Sequence, residues 1–401
     1  MSHINRAYWL GPVLALALLP SNVVAAALTL LRAEWHASAT EMGWVYAAYQ
    51  LGYVLSVLFV LPLTDRVHIS KVIAACALCA SLSFVAFPFW ANGVWSASLL
   101  RFFAGLGLAG IYMPGVRVIA ATATPARRGF AVGAYVAAFY LGAAVSLWAT
   151  GALLPFVGWR GAALTLGLIS AIGLPLAVYS AKDFAAPAGN RASFDLRVMQ
   201  SGPVRRNVLA YTGHSWELYV SRGWLAAFLT SVFLAQGMDA QGAAVTGSQW
   251  AALMAGCGTP GVFLGGWLSD HLGRARAALL MTLCSGLCSL IFGFLGAGSW
   301  SLLLLIGCLY GLLISADSAI YSTAITELAP IGRLGSAQAA QAFFGFSATI
   351  IAPVAAGLML DWQFSWGATF ALAGLIGLVF GWPLIYSFKG ETGRRGDGET
   401  G

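Results

Sequence analysis

The stretch GGWLSDHLGRAR at 265–276 separates two long apolar runs, and LPLTDRVHISK at 61–71 does the same in the first half of the chain. Each stretch contains an aspartate two residues after a leucine and six before a cation: Leu63, Asp65 and Lys71 in the first, and Leu268, Asp270 and Arg276 in the second. Matching signals at matching positions indicate an internal duplication. Because paired six-helix repeats are an architecture of membrane transporters, the two stretches predict two related halves.

The composition of the chain excludes an ordinary soluble domain. Of its 401 residues, 59% are hydrophobic and only 9% are charged, whereas a soluble domain is about 25% charged. So few charges cannot cover the surface of a chain of this length, and we expect lipid to surround most of it. The formal net charge of +7 is spread over short gaps between apolar runs. It forms no basic patch, and we therefore expect no nucleic-acid partner.

The apolar runs predict an all-α membrane protein with twelve transmembrane helices. A spanning helix needs about 20 mostly apolar residues, and the runs lack the period-two alternation of outer-membrane barrel strands. The predicted helices cover 7–31, 41–63, 70–91, 95–121, 128–155, 158–180, 207–235, 244–269, 275–296, 299–325, 334–360 and 364–388. An N-terminal six-helix bundle, a cytoplasmic linker, a C-terminal six-helix bundle and a polar cytoplasmic tail then occupy 1–180, 181–206, 207–390 and 391–401.

The basic residues predict the orientation of these helices. With the N-terminus in the cytoplasm, sixteen of the 21 Lys and Arg residues fall on the cytoplasmic side and two on the opposite side. Cytoplasmic loops of membrane proteins carry such an excess of Lys and Arg. We therefore expect an integral protein of the cell inner membrane with both termini in the cytoplasm.

The stretch at 265–276 resembles the loop motif G-x-L-x-D-R-x-G-R-[RK] of the major facilitator superfamily. The matching residues are Gly266, Asp270, Gly273, Arg274 and Arg276, while His271 stands where arginine is usual. The copy at 61–71 is degraded and keeps Asp65, Arg66 and Lys71. RFFAG at 101–105 resembles the fourth-helix motif R-x-x-x-G of the same superfamily.

The resemblance implies two pseudo-symmetric six-helix bundles around a central cavity that opens to one side of the membrane at a time. It also implies that helices 1, 2, 4, 5, 7, 8, 10 and 11 face that cavity. An aspartate in such a loop can cap a helix and pair with a cation on a neighbouring helix. We interpret the matching residues of the two loops as a cytoplasmic gate, with a plain helix cap in a tight turn as the alternative.

The seventh predicted helix carries a polar stripe. On a helical projection of NVLAYTGHSWELYVSRGWLAAF at 207–228, six polar residues fall within a stripe roughly 140° wide. These residues are Asn207, Tyr211, His214, Glu217, Ser221 and Arg222. Because an ionised residue at the centre of a spanning helix costs about 2.5–3.5 kcal/mol, such a stripe points to a water-filled cavity.

Glu217 is the candidate for proton coupling. A low dielectric favours the neutral form of a carboxylate, and His214, one turn away, could share or relay the proton. The alternative is a structural network that joins Glu217 to His214 or to Arg222. Arg222 is equally a candidate counter-charge for the solute.

Three further charges lie inside predicted helices. Asp317 of the tenth helix either faces the cavity or pairs with an arginine. The resemblance links Arg101 of the fourth helix to proton coupling. Arg117, further along the same helix, either faces the cavity or extends its charged end to the membrane interface.

These features favour a secondary active transporter that moves a small solute by alternating access, coupled to protons. Three arginines against two acids inside the helices favour a small organic anion. Proton-driven efflux of hydrophobic compounds is an alternative, although the fifth helix lacks the glycine–proline motif of the superfamily's drug exporters. A transporter-derived membrane sensor is another.

An enzyme is not expected, because the chain lacks DxxD, H-E-x-x-H and Walker A motifs. We expect no metal or cofactor. The expected partners are a small-molecule substrate, the proton and the lipid bilayer, and the chain is expected to act as a monomer.

Overall fold

A computed structural model describes residues 6–124, 127–182, 195–296 and 298–387 of this chain. The regular structure of these residues is helical, and they contain no strand. The first part comprises α1 Leu10–Leu18, α2 Val23–Ala26, α3 Leu28–Glu34, α4 Ala39–Leu55, α5 Ile69–Trp90, α6 Val94–Thr122 and α7 Arg128–Ala181. The second comprises α8 Gly202–Ala235, α9 Ala240–Gly256, α10 Gly258–Leu272, α11 Arg274–Phe292, α12 Trp300–Leu328, α13 Leu334–Asp361 and α14 Trp366–Gly381.

The helices account for the predicted crossings. Ten helices of the described residues are long and apolar enough to span a membrane, and the bent pair Leu10–Ala26 and Leu28–Glu34 supplies an eleventh span. Helix α7, at 54 residues, is long enough for two spans of about 20 residues. Its backbone leaves the helical conformation at Gly158, where φ is 62°, a left-handed value that favours glycine. The fifth and sixth predicted helices therefore meet at Gly158.

The first predicted helix differs from expectation because it is broken. The segments Leu10–Ala26 and Leu28–Glu34 are bent by 57° at Ala27, and the chain also leaves the helix after Leu18, next to Pro20. At the break, the backbone N–H of Asn22 donates to Ser146 Oγ (2.9 Å) and its side-chain amide donates to the Ala143 carbonyl (3.0 Å). Polar groups of helix α7 thus satisfy groups that the proline interrupts.

The described part of the predicted linker is more ordered than expected. Residues Leu196–Gln200 form a 3₁₀ helix, and α8 begins at Gly202, before the predicted start at 207. Val198 is buried in a small apolar cluster with Val204, Val208 and Ile325. Residues 183–194, and with them the remainder of the linker, lie outside the described residues, as does the predicted tail at 391–401.

Contacts divide the chain into two compact units. The first comprises 1–190 and 223–253, and the second comprises 191–222 and 254–401. The predicted bundle boundaries at 181–206 stay a prediction. In the first unit α4 packs on α6 so closely that a methyl group at Gly105 would overlap the backbone of Tyr49. In the second unit α10 packs on α12 in the same way, with Gly265 against the backbone of Ala316. Equivalent helices of the two halves therefore meet through glycine.

Candidate functional site

The polar stripe of α8 is largely buried in the second unit. The side chains of Asn207, His214, Glu217 and Ser221 are all buried, while Tyr211 and Arg222 are half-buried. Asn207 donates from its amide to the carbonyl of Tyr321 (3.3 Å) and to Gln341 Oε1 (3.0 Å). The described contacts of the stripe are thus made to helices of its own unit.

His214 and Asp317 form a buried pair. His214 Nδ1 lies 2.8 Å from Asp317 Oδ1, and the two side chains are 3% and 1% exposed. This Asp317 oxygen makes no aligned hydrogen bond. The other ring nitrogen of His214 lies 2.9 Å from Ser318 Oγ. The described partner of Asp317 is therefore a histidine, not the arginine that was one of its two predicted alternatives.

The second carboxylate oxygen of Asp317 belongs to a chain of hydroxyl groups. Thr282 of α11 donates from Oγ1 to Asp317 Oδ2 (3.3 Å). The same Oγ1 lies 2.7 Å from the hydroxyl of Tyr321, which is fully buried. Asp317 thus has an imidazole on one side and hydroxyl groups on the other.

Glu217 is enclosed by hydroxyl groups and glycine. Its side chain is 1% exposed, and Ser285 donates from Oγ to Oε2 (3.3 Å). The hydroxyl of Tyr310 also interacts with the carboxyl group. A methyl group at Gly377 of α14 would lie 2.7 Å from Oε2. The other oxygen, Oε1, is buried without a hydrogen-bond partner.

Three residues of α11 that lie around the carboxylates of Glu217 and Asp317 were not predicted from the sequence. Thr282, Ser285 and Ser289 are all buried and follow one another at helical spacing along one face of α11. Ser289 donates to the carbonyl of Phe370 (2.8 Å) and accepts from Tyr310 (3.1 Å). The spacing of hydroxyl residues in TLCSGLCS at 282–289 is the signal that could have found them.

Tyr211 and Arg222 flank this cluster on α8. The ring of Tyr211 lies 5.9 Å from that of His214 and 6.0 Å from that of Tyr321, centre to centre. The guanidinium of Arg222 lies 5.7 Å from the centre of the Tyr219 ring. The described hydrogen bond of Glu217 goes to a serine and not to Arg222.

Arg101 is a buried cation in the first unit. Its side chain is 3% exposed, and it donates from NH1 to the carbonyl of Ser21 (2.5 Å), at the break in the first span. The guanidinium lies 4.3 Å from the centre of the Tyr49 ring, a distance typical of a cation–π contact. Its Nε has no hydrogen-bond partner. Arg101 thus holds the broken helix and has no carboxylate partner among the described residues.

Arg117 has a different environment from Arg101. It is exposed and donates from NH1 to Thr64 Oγ1 (2.7 Å), near the loop at 61–71. Both alternatives for Arg117, the cavity and the membrane interface, stay predictions.

The predicted gate of the second half is a network of charges. Arg274 donates to Asp270 Oδ1 (2.5 Å), to Ser269 Oγ (2.7 Å) and to Glu327 Oε1 (3.1 Å). Gly273 makes the turn with φ of 91°. The arginine at the start of α11 thereby joins the ends of α10 and α12. Glu327, which sequence reasoning missed, completes the network.

The other gate residues make fewer described contacts. Arg276, Arg66 and Lys71 are exposed, and Gly266 has open space around it. The side chain of Asp65 lies outside the described residues. His68 caps α5 in the first loop, where its Nδ1 accepts from the backbone N–H of Ser70 (3.3 Å).

Over the described residues, no group of three or more His, Cys, Asp or Glu side chains could hold a metal ion. The candidate site of the second unit consists instead of two buried carboxylates, one imidazole and a set of hydroxyl groups.

Paired sets of spanning helices with buried charges define a membrane transporter. The family model described as Major Facilitator Superfamily matches residues 10–256 and 218–400, and the chain belongs to this family. It is therefore a transporter of small solutes and not an enzyme.

Three related transporters have low sequence identity to this chain. The uncharacterized transporter YybO of Bacillus subtilis is 25% identical over 86% of this chain and 86% of its own length. The probable sulfoacetate transporter SauU of Cupriavidus necator is 25% identical over 67% of this chain and 66% of its own. The gentisate transporter of Corynebacterium glutamicum is 24% identical over 86% of this chain and 79% of its own.

A solved structure shares the fold. The crystal structure of a bacterial homologue of the human lysosomal transporter Spinster, inward-facing and unoccupied, superposes with a TM-score of 0.71 at 16% identity. The match covers 96% of this chain and 95% of that one.

Proposed function

We propose that this transporter carries a small organic anion across the cell inner membrane by alternating access, and that a proton moves with the solute. The observation that carries the proton coupling is the burial of Glu217 and Asp317, each 1% exposed, inside one unit. A buried carboxylate is costly as an isolated ion, so it is either paired with a cation or carries a proton. Asp317 has His214 as its partner, whereas the described contacts of Glu217 are to hydroxyl groups.

Reversible protonation gives these residues a function beyond packing. Loss of a proton from Glu217, or from the His214–Asp317 pair, changes the charge inside the bundle and therefore the energy of each conformation. A carrier uses such a difference to make conformational change depend on the proton. The hydroxyl groups of Ser285 and Thr282 supply hydrogen bonds to the carboxylates in either state.

An organic anion is supported by Arg101 and by two of the relatives. Arg101 is a buried guanidinium with one unpartnered nitrogen and no carboxylate partner among the described residues. An arginine fork binds carboxylate and sulfonate groups well. The names of two relatives specify sulfoacetate and gentisate, which are both organic acids. Arg222 is a second candidate contact for the anion.

The orientation is part of the proposal. The excess of Lys and Arg in alternate loops supports a cytoplasmic location of both termini, and we propose that a single chain is sufficient for transport. A membrane-impermeant thiol reagent should then label Gly401→Cys in opened cells but not in intact cells.

Purified protein in liposomes with a pH-sensitive dye inside tests the proposal. An inward gradient of a transported acid, such as sulfoacetate or gentisate, should acidify the lumen, and a proton ionophore should abolish uptake against a gradient. Movement of a solute without any proton movement would remove the coupling from the proposal. Transport of cations but of no anion would contradict the proposal that the solute is an organic anion.

A further inference from the structure

A crevice lies inside the second unit beside the charged network of Arg274. Its volume is about 590 Å³, and exposed Pro203 and Tyr386 are among the residues that line it. Lining residues of α8, α11, α12 and the chain after α14 include Arg206, Asn207, Arg274, Ala278, Ala324 and Leu384. Every lining residue belongs to the second unit. The crevice is therefore a feature of one unit.

The helical register shows how far the crevice extends. It begins where α8 and α11 begin and where α12 ends. The lining residues farthest along these three helices are Asn207, Ala278 and Ala324. Two of the three are alanines, whose small side chains leave space at the inner end.

A layer of hydroxyl groups lies one helical turn beyond that inner end. Thr282 follows Ala278 by four residues on α11, and Tyr321 precedes Ala324 by three on α12, so they lie about 6 Å and about 4.5 Å further along their helices. Their oxygens are 2.7 Å apart. Asn207 donates to the carbonyl of Tyr321 and so belongs to both the crevice and this layer.

The hydrogen bonds of the layer are aligned toward Asp317. Thr282 has one hydroxyl hydrogen, and it points to Asp317 Oδ2. Either oxygen could donate in the 2.7 Å contact between Thr282 and Tyr321. While the threonine hydrogen is on Asp317, Tyr321 is the donor and threonine the acceptor. This leaves lone pairs of the Tyr321 oxygen free to accept a hydrogen. The direction of donation thus runs from Tyr321 through Thr282 to the carboxylate.

We infer that this crevice and the Tyr321–Thr282 pair form a proton path to the His214–Asp317 pair, separate from the route of the solute. The inference rests on the proposed proton coupling. A hydronium ion in the crevice gives a proton, through a water molecule between the inner end and the hydroxyl layer, to the Tyr321 oxygen. Tyr321 passes its own proton to Thr282 Oγ1, and Thr282 passes its own to Asp317 Oδ2. Each hydroxyl gains one proton and loses one, and Asp317 ends neutral. Release follows the same steps in reverse.

The groups around Asp317 are compatible with this path. The titratable groups near it are His214 and Glu217 from α8 and Tyr321 from its own helix. Helix α11 presents Thr282 and Ser285, and Cys288 lies near Glu217. Ser285 also donates to the carbonyl of Thr282 (3.3 Å), which connects the relay with the neighbour of Glu217.

Thiol labelling tests the crevice without any transport. In a variant lacking the six native cysteines, Ala278→Cys and Ala324→Cys should react with an anionic methanethiosulfonate added on the side of the Asp270–Arg274 loop. Ala277→Cys is the matched control, because Ala277 is buried on the same helix and does not line the crevice. We expect the crevice positions to react at least about tenfold faster than the control.

Isosteric substitutions test the relay. Thr282→Val removes the hydroxyl and keeps the shape, and Ala278→Leu fills the inner end of the crevice. Both should slow net proton-coupled uptake at least about tenfold, while solute counterflow, which needs no net proton movement, persists. Thr282→Ser keeps the hydroxyl of the relay, and Ala278→Ser keeps a small side chain at the inner end of the crevice. Both variants should retain net uptake. Tyr321→Phe should behave like Thr282→Val.

The outcomes separate the inference from the proposed function. Equal labelling of Ala278→Cys and Ala277→Cys, or full net uptake by Thr282→Val, overturns the path and leaves proton coupling intact. A parallel loss of uptake and counterflow in Thr282→Val but not in Thr282→Ser assigns the hydroxyl to the solute and also overturns it. Solute transport without protons in the unaltered protein overturns the proposed function, whatever the labelling shows.

Discussion

His214 Nδ1 lies 2.8 Å from Asp317 Oδ1 in a location that is almost completely buried. An imidazolium and a carboxylate at this distance form a neutral pair, whereas loss of one proton leaves a net negative charge where water does not reach. Two helices, α8 and α12, are therefore held together by an interaction whose strength depends on one proton.

Asp317→Asn should uncouple transport from protons. The amide keeps the shape of the side chain and can still accept from Thr282, but it removes the charge that pairs with His214. Because positioned proton transfer typically contributes ~10²–10⁴-fold, we expect proton-driven uptake in liposomes to fall at least about 100-fold. Asp239→Asn is the control, because Asp239 is an exposed cap of α9. Unchanged acidification of the lumen by Asp317→Asn would contradict this role.

Glu217→Gln should separate activity from stability. Glutamine keeps the shape of the side chain and removes a carboxylate that is costly to bury as an isolated ion, so the melting temperature in detergent should stay the same or rise. Proton-driven uptake should fall sharply, because glutamine cannot release a proton. A structural role would give the opposite pattern, with a lower melting temperature and with transport that remains coupled in the folded fraction.

Gly377→Ala should disturb Glu217 from the opposite helix. The added methyl group would lie 2.7 Å from Glu217 Oε2, and overpacking of this kind costs about 1–3 kcal/mol. We expect a lower melting temperature and slower proton-coupled uptake. At Gly133 of α7 a methyl group meets no atom within 4 Å, so Gly133→Ala should leave both quantities close to those of the unaltered protein. Equal effects of the two substitutions would argue against the enclosed position of the carboxylate.

Arg274→Lys should alter transport kinetics more than stability. Lysine keeps the charge but cannot contact Asp270, Ser269 and Glu327 together. Partly exposed ion pairs contribute only about 0–1 kcal/mol each, so the melting temperature should change little. Initial rates of uptake should change several-fold, measured against Arg205→Lys, since Arg205 is exposed and lies outside this motif. A large fall in melting temperature with unchanged rates would instead favour the plain helix cap.

The sequence predicted the crossings well because an apolar run of spanning length has few stable structures other than a membrane-spanning helix. The charges that a membrane tolerates poorly, among them Glu217 and Asp317, were also visible. Their neighbours were not, because an angular projection shows which residues of a helix share a face but not which helix that face meets. Thr282 and Ser285 escaped for a further reason: small hydroxyl residues occur in spanning helices without any effect on an apolar pattern.

Two deviations have physical reasons of their own. The break beside Pro20 was passed over because the run from 7 to 31 is mostly apolar, yet proline removes a backbone donor and so interrupts the helix. Glu327 escaped because an acid at a helix end usually meets solvent, and only the fold brings it to Arg274.

Arg101 donates a hydrogen bond to the Ser21 carbonyl at the break in the first span. This carbonyl and a bound anion would compete for the same guanidinium. An anion that draws the guanidinium to itself must take a donor away from the break. By reciprocity, whatever strengthens the bond from Arg101 to the Ser21 carbonyl weakens the binding of the anion by the same free energy. A substitution that straightens this span should therefore change the affinity for an acidic solute without touching it.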